Sequence, residues 1–282
     1  MRDIILLAIM AFFISCDTTV VKSNSEDKTE KESQKIDSVQ VNILDHPVIA
    51  IDKEELDNGI IIKWIKHGKG EVIAKGDMIK IDYKVFLKDN KVVDGNHLLN
   101  KSSIPFMVGF QMQTKGWDIA LQKLKVGDYA EIYIPSDLAR GEKGIKGLIP
   151  PNSDNILKIR IIEKTKPTRE VDGNKVWVFE ENSKNELAFN ENEEILFHTM
   201  VSTPTNSLYV NTYRSGEPFK LRLNDSGTVP GLKKALINAK KSDRMFVLVP
   251  SAEAYGGKGY LDVVRPNEDL FYNLLVMDVI KI

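Results

Sequence analysis

The side chains most often used for acid–base, metal and nucleophilic work are sparse in this sequence. His46, His67, His97 and His198 show neither i, i+4 nor HExxH spacing, so they form no metal pair. Cys16 is the single cysteine. That excludes a disulfide framework, a multi-cysteine metal site and, without paired histidines, cysteine catalysis. There is no GxSxG elbow for a serine nucleophile. Gly141, Gly144 and Gly147 punctuate one loop, but they lack the Lys-Ser/Thr ending of a phosphate cradle and read as loop flexibility. What remains is a set of aromatic and polar residues whose roles depend on where the fold puts them. Trp117 opens an amphipathic stretch, Tyr83 faces inward by strand alternation, and Asp94 stands in the turn signal Asp94-Gly95-Asn96. Each also has a plain structural explanation: core packing for the first two, turn formation for the third.

The chain that must position them has 282 residues, enough for two domains of ordinary size. Lys plus Arg number 39 against 40 Asp plus Glu, for a net charge of −1. No basic excess exists to bind phosphates, so a nucleic-acid partner is not expected. An apolar fraction of 42% with 28% charged residues describes a folded, globular chain.

The N-terminus is different. Ile4 to Ile14 is an uncharged run of eleven residues, too short for the roughly 20 of a membrane-spanning helix and suited to the apolar region of a secretory signal. It ends in Phe13-Ile14-Ser15-Cys16, which resembles the lipobox of bacterial lipoproteins, with Phe13 where Leu is usual. The resemblance implies a signal peptide over 1–15, a lipid on Cys16, and a protein anchored to a membrane of the cell envelope, facing the periplasm or exterior. The alternative is a buried N-terminal helix with a chance cysteine. Lys22 to Lys35 is polar at every position, so 16–51 is expected to be a disordered tether.

An internal repeat organises the rest. At an offset of 115 residues, Gly116–Leu157 aligns with Gly231–Tyr272 without a gap, and 14 of the 42 positions are identical. Chance would give about one in fifteen. Each copy shows strands of period two, a short stretch of helical period and a Gly-rich loop, and Lys164 to Asp172 separates them. The expected class is α+β: two domains, 52–166 and 167–282, each an antiparallel sheet packed on one short helix.

The order of these pieces in the first copy resembles the FKBP-type prolyl isomerases. The resemblance rests on Ile81-Asp82-Tyr83, Val92-Val93-Asp94, Ile104-Pro105-Phe106, Gly116-Trp117, Leu124-Lys125-Val126-Gly127-Asp128, Ile134-Pro135-Ser136-Asp137-Leu138-Ala139 and Leu148-Ile149-Pro150-Pro151-Asn152. It implies a twisted sheet wrapped round the helix and rotation about an X–Pro bond. Amide resonance sets that barrier at ~18–20 kcal/mol. No bond breaks, so no nucleophile, metal or cofactor is required. A dry apolar pocket that favours the twisted amide is enough.

By position, the resemblance makes Tyr83, Asp94 and Trp117 the catalytic set, with Trp117 as the floor under the proline ring. Val93, Ile104, Gln113, Thr114, Arg140, Ile145, Ile149 and Leu157 would bind substrate, Thr114 through its backbone N–H. Val93, Ile104 and Leu157 stand where the family has Phe, Gln113 where it has an aliphatic residue, and Arg140 where it has Tyr. The second copy keeps Phe219, Tyr255, Val264 and Tyr272 at pocket positions. Thr199, Asn211 and Leu232 replace the Tyr, Asp and Trp there. This second pocket is expected to be degenerate. The implied partners are proline-containing polypeptides, met by an isomerase or folding helper acting through the first copy. The rival is a non-enzymatic binding or assembly lipoprotein, with a link to gliding motility resting on analogy alone. The oligomeric state is not legible.

Overall fold

The computed structural model describes Leu44 and residues 49–180, 186–207 and 209–282. The expected signal peptide, Cys16 and nearly all of the polar tether lie outside the described residues. One residue within the tether's span departs from expectation: Leu44, an apolar side chain, is buried. Among the described residues no helix is long and apolar enough to cross a membrane.

The first sheet contains β1 (Asp52–Glu55), β2 (Ile61–Lys66), β3 (Met78–Phe86), β4 (Val92–Gly95), β5 (Ile104–Met107), β6 (Tyr129–Ile134) and β7 (Asn155–Lys164). Its order is β1-β2-β6-β7-β3-β4, with β5 also pairing β3, and every pair is antiparallel. Alternation works as the sequence suggests. On β7, Leu157, Ile159 and Ile161 point inward while Lys158 and Arg160 lie on the more exposed face. The inner face closes on α1 (Lys115–Leu121), whose Trp117, Ala120 and Leu121 are buried.

The second sheet repeats the plan with β8 (Arg169–Val171), β9 (Asn174–Glu180), β10 (Glu193–Ser202), β11 (Val210–Asn211), β12 (Phe219–Leu221), β13 (Arg244–Val249) and β14 (Leu270–Lys281). Its order is β11-β10-β14-β13-β9-β8, with β12 on β10. A one-turn helix α2 (Thr212–Ser215) follows β11, and α3 (Pro230–Leu236) takes the place of α1. The architecture is therefore α+β: two antiparallel sheets, each curled on a short helix.

The residues that the copies share hold this scaffold. A Cβ on Gly116 would press into Ile134 and the Leu138 carbonyl, and one on Gly231 into Asn174 and Val249, so helix and sheet approach closely only at glycine. Asp154 and Asp269 each accept the N–H of the repeated serine, from Ser136 and Ser251, at 2.8 Å. Asn152 (φ 56°) and Asn267 (φ 61°) turn the chain and donate their N–H to Gly141 and Gly256. The loop glycines are not merely flexible. Gly144 has φ 52° and Gly259 φ 65°, and a Cβ at either would meet the backbone of the following turn.

The domains pack on each other through a third apolar cluster. Met78, Met107 and Phe110 of the first meet Trp177, Phe246, Leu248 and Phe271 of the second, with Met112 and Phe179 at its margin. Phe110 and Phe271 lie 5.9 Å apart between ring centres. Two hydrogen bonds flank the cluster: the Ser202 hydroxyl donates to the Phe110 carbonyl at 2.7 Å, and Gln111 Nε2 donates to the Pro204 carbonyl at 2.8 Å.

Candidate functional site

In the first domain α1 begins after Thr114, and its first turn delivers Trp117 to the middle of the sheet's concave face. Phe106, from β5, stacks on Trp117 at 5.5 Å and 23°, and Tyr83, from β3, meets it edge-on at 5.1 Å and 81°. Such pairs add about 0.5–1.5 kcal/mol each beyond burial. Trp117 and Tyr83 are only 2% and 1% exposed, so they are core residues and cleft walls at once.

Asp94 ends β4 beside them. The Tyr83 hydroxyl donates to its Oδ1 at 3.3 Å, the Gly95 N–H donates to the same oxygen at 2.7 Å, and Gln113 Nε2 donates to Oδ2 at 3.3 Å. The turn after it is pinned by Asn96, whose Oδ1 accepts the Tyr83 N–H at 2.6 Å and whose Nδ2 donates to Lys101. Arg140 completes the chain, with Nη2 donating to Gln113 Oε1 at 2.5 Å. Burial pushes the Asp94 carboxyl up to about 6, against the pull of Gly95, Tyr83, Arg140 and Gln113. Burial, then the neighbouring Asp94, raises the Tyr83 hydroxyl well above its ordinary value. Burial lowers Arg140, opposed by Asp94 and Tyr83. The two polar departures from the family pattern, Gln113 and Arg140, are thus partners of each other and of Asp94.

The remaining expected residues fall into two groups. Ile104 lines the cleft with Tyr83, Phe106, Gln113 and Trp117. Val93, Ile149 and Leu157 are buried in the domain's core, with Ile145 packed against it and bridged to Ile149. Thr114 is buried at the start of α1, its carbonyl accepts the Trp117 N–H at 3.0 Å, and its hydroxyl has no hydrogen-bond partner. Sequence reasoning missed Phe106 as the ring under Trp117, although it stood in a quoted motif. It also missed that the cleft continues onto Phe179, Phe246 and Asn273 of the second domain. Nothing in either copy alone signals that. The space left is small, about 50 Å³.

The second domain's pocket lies at the equivalent place and is larger, about 240 Å³. Leu232 of α3 occupies the floor position, and Phe219, Tyr255, Val264 and Tyr272 all fall at or beside the pocket. Tyr209 and Tyr260, not foreseen, join its walls, and Tyr255 and Tyr260 stack at 4.7 Å. The hydroxyls of Tyr209, Tyr255 and Tyr272 are hydrogen-bonded together in a buried group. Among the residues lining it none is acidic. One sequence correspondence needs correction. Strand register pairs Val85 with Asp94 and Val201 with Val210, so Val210, not Asn211, stands in the Asp94 position. Asn211 instead caps α2 by accepting the Tyr213 N–H. The lost gap-free alignment between β10 and β12 hid both this shift and Tyr209. Among the described residues no group of three His, Cys, Asp or Glu side chains could hold a metal.

Comparison with known proteins agrees with this geometry. The sequence profile of the FKBP-type peptidyl-prolyl cis-trans isomerases matches residues 69–162 and again 186–277. FK506-binding protein 1 of Eremothecium gossypii is 33% identical over 113 residues, 39% of this chain and 96% of its own. The peptidyl-prolyl cis-trans isomerase Mip of Coxiella burnetii is 33% identical over 111 residues, 39% of this chain and 47% of its own. Human FKBP10 is 21% identical over 216 residues, 73% of this chain and 35% of its own. Among solved structures, the three FKBP domains of wheat FKBP73 cover 80% of this chain and 97% of their own at 21% identity, with a TM-score of 0.39. With two matched segments spanning more than half of its length, the chain belongs to the FKBP-type peptidyl-prolyl cis-trans isomerase family.

Proposed function

We propose that this protein is a peptidyl-prolyl cis-trans isomerase and folding helper for exported polypeptides, with the activity in its first domain. The observation that carries the reading is the Tyr83–Asp94 hydrogen bond set beside the Trp117 face, a combination that Thr199, Val210 and Leu232 cannot reproduce in the second domain. A prolyl ring against Trp117 would leave its amide in an apolar, water-poor cleft. There the resonance-stabilised planar form loses the hydration that favours it, and a twisted amide is held by fixed donors. Proton transfer plays no part, so Asp94 and Tyr83 act by orientation.

The N-terminal sequence supports an exported, lipid-anchored protein of the cell envelope, held at its membrane through Cys16 and meeting proline-containing clients there. Metabolic labelling with a fatty acid tests the anchor: wild type takes up label and Cys16→Ser does not. Labelling of both forms, or of neither, removes the claim.

A second reading has an observation of its own. The Arg140–Gln113–Asp94 chain and the 50 Å³ of remaining room favour a domain that binds or assembles without catalysis. A protease-coupled assay on Xaa-Pro peptides separates the two. Acceleration by wild type and its loss in Trp117→Ala support the isomerase; the uncatalysed rate from both forms defeats it.

A further inference from the structure

The first domain's cleft is not closed by its own domain. Tyr83, Trp117 and Ile104 line one side, and Phe179, Phe246 and Asn273 of β9, β13 and β14 line the other. These strands present the outer face of the second sheet, the face opposite that domain's own pocket. We propose that this outer face is the client-recognition wall of the first domain's cleft, with the Phe179–Phe246 pair seating an apolar side chain that flanks the client's proline. The inference rests on the reading of the first domain as the prolyl site.

Three observations carry it. First, the wall is held in place. Trp177, Phe246, Leu248 and Phe271 are buried against Met78, Met107 and Phe110, and the Ser202 and Gln111 hydrogen bonds fix the two domains on either side. Second, the apolar contacts of this cluster do not extend across the cleft, where about 50 Å³ stays open. Protein interiors rarely leave room beside close-packed neighbours, so a gap lined by Trp117 on one side and aromatic rings on the other is an unfilled contact surface. Third, the rim is made of side chains that can yield. Phe179 and Met112 are only partly buried, and Phe179 meets Phe246 edge-on at 4.7 Å, leaving ring faces for a third apolar group. A polypeptide entering over Leu99 and Met112 would lay its proline toward Trp117 and a neighbouring residue toward Phe179. The occupant is therefore an extended prolyl segment, recognised beyond the X–Pro pair itself.

The test uses the full chain and peptides built on a central Ala-Pro, with Phe or Ser placed in turn at each flanking position. Both the isomerisation rate and binding, by fluorescence anisotropy of labelled peptides, are measured. One flanking position should favour Phe over Ser, and Phe179→Ala should reduce that preference about fivefold, the size of one aromatic contact. Phe179→Leu, which keeps an apolar contact, should retain most of it and guards against misfolding. An unchanged preference, or an equal rise for every peptide as if the wall merely blocked the cleft, overturns the proposal. Phe179-dependent binding without catalysis would uphold the shared wall and defeat the isomerase reading. Catalysis indifferent to Phe179 would do the reverse, and no binding at all would end both.

Discussion

The two domains repeat several scaffold hydrogen bonds atom for atom and differ in nearly every side chain that faces the pocket. Asp128 and Asp243 both accept the N–H of the lysine three residues before, at 2.8 Å, and both helices lean on the sheet through a glycine. At the pocket the inheritance divides. The first domain keeps Trp117 beside a Tyr83–Asp94 pair but sets Gln113 in the cleft wall, bonded to Arg140. The second keeps an aromatic box of Tyr209, Phe219, Tyr255, Tyr260 and Tyr272 but has Leu232 for a floor. Backbone geometry tolerates few residue types, whereas a pocket wall can change without unfolding the sheet. That difference in tolerance is what the comparison teaches.

The largest expected effect tests the shared scaffold. Gly116→Ala and Gly231→Ala should each destabilise by about 3 kcal/mol, at the upper end of overpacking costs, because backbone or branched side chains meet the new Cβ. Denaturant unfolding of each variant measures it; a tolerated substitution in one domain alone would show that its helix can shift.

Next is the floor. Trp117→Leu gives the first domain the second domain's residue and should lower kcat/KM about thirtyfold, equivalent to ~2 kcal/mol. If Leu232→Ala lowers the rate equally, the activity is not confined to the first domain.

A smaller gain is expected from emptying the first pocket. Gln113→Val combined with Arg140→Tyr removes both ends of the Arg140–Gln113 bond, leaving Asp94 its Tyr83 and Gly95 donors, and should raise peptide affinity about fivefold. Isothermal titration with a prolyl peptide reads it, and unchanged affinity would show that the chain does not compete with the client.

The smallest effect is on stability against pH. Burial raises both Asp94 and Asp118 to about 6. Below about pH 4 each is protonated in the folded and unfolded chain alike. As pH climbs from there to 6 the unfolded chain gives up protons that the folded chain keeps, so stability falls, and it levels off above 6. Acidification from pH 7 to 6 should therefore add about 0.7 kcal/mol for the pair, or about 1–3 °C in Tm. Val210 and Lys233 stand at the corresponding places in the second domain, so the gain belongs to the first. It should disappear in the combined Asp94→Asn, Asp118→Asn variant.

Much of this molecule was readable from residue order. Period-two runs such as Ile79–Val85 and Leu157–Ile161 marked strands because a sheet with one buried face demands alternation. The 115-residue repeat exposed two domains because glycines, turn asparagines and N–H-accepting aspartates are kept wherever the backbone needs them. The family's pocket positions followed from those markers, and Tyr83, Asp94, Gln113 and Trp117 do meet. The Val210 position was misread because β11 and β12 are joined to β10 through segments whose lengths differ between copies, and only strand pairing shows the shift.

Local order along the chain thus determined the strands, the duplication and the pocket's inventory, since each depends on neighbours a few residues apart. Tertiary structure alone decided that Arg140 bonds to Gln113, that Phe106 lies on Trp117, and that the second domain's outer face completes the first domain's cleft. Those contacts join residues far apart in sequence, and their geometry is set by how two curved sheets bury a shared apolar cluster, which no local pattern encodes.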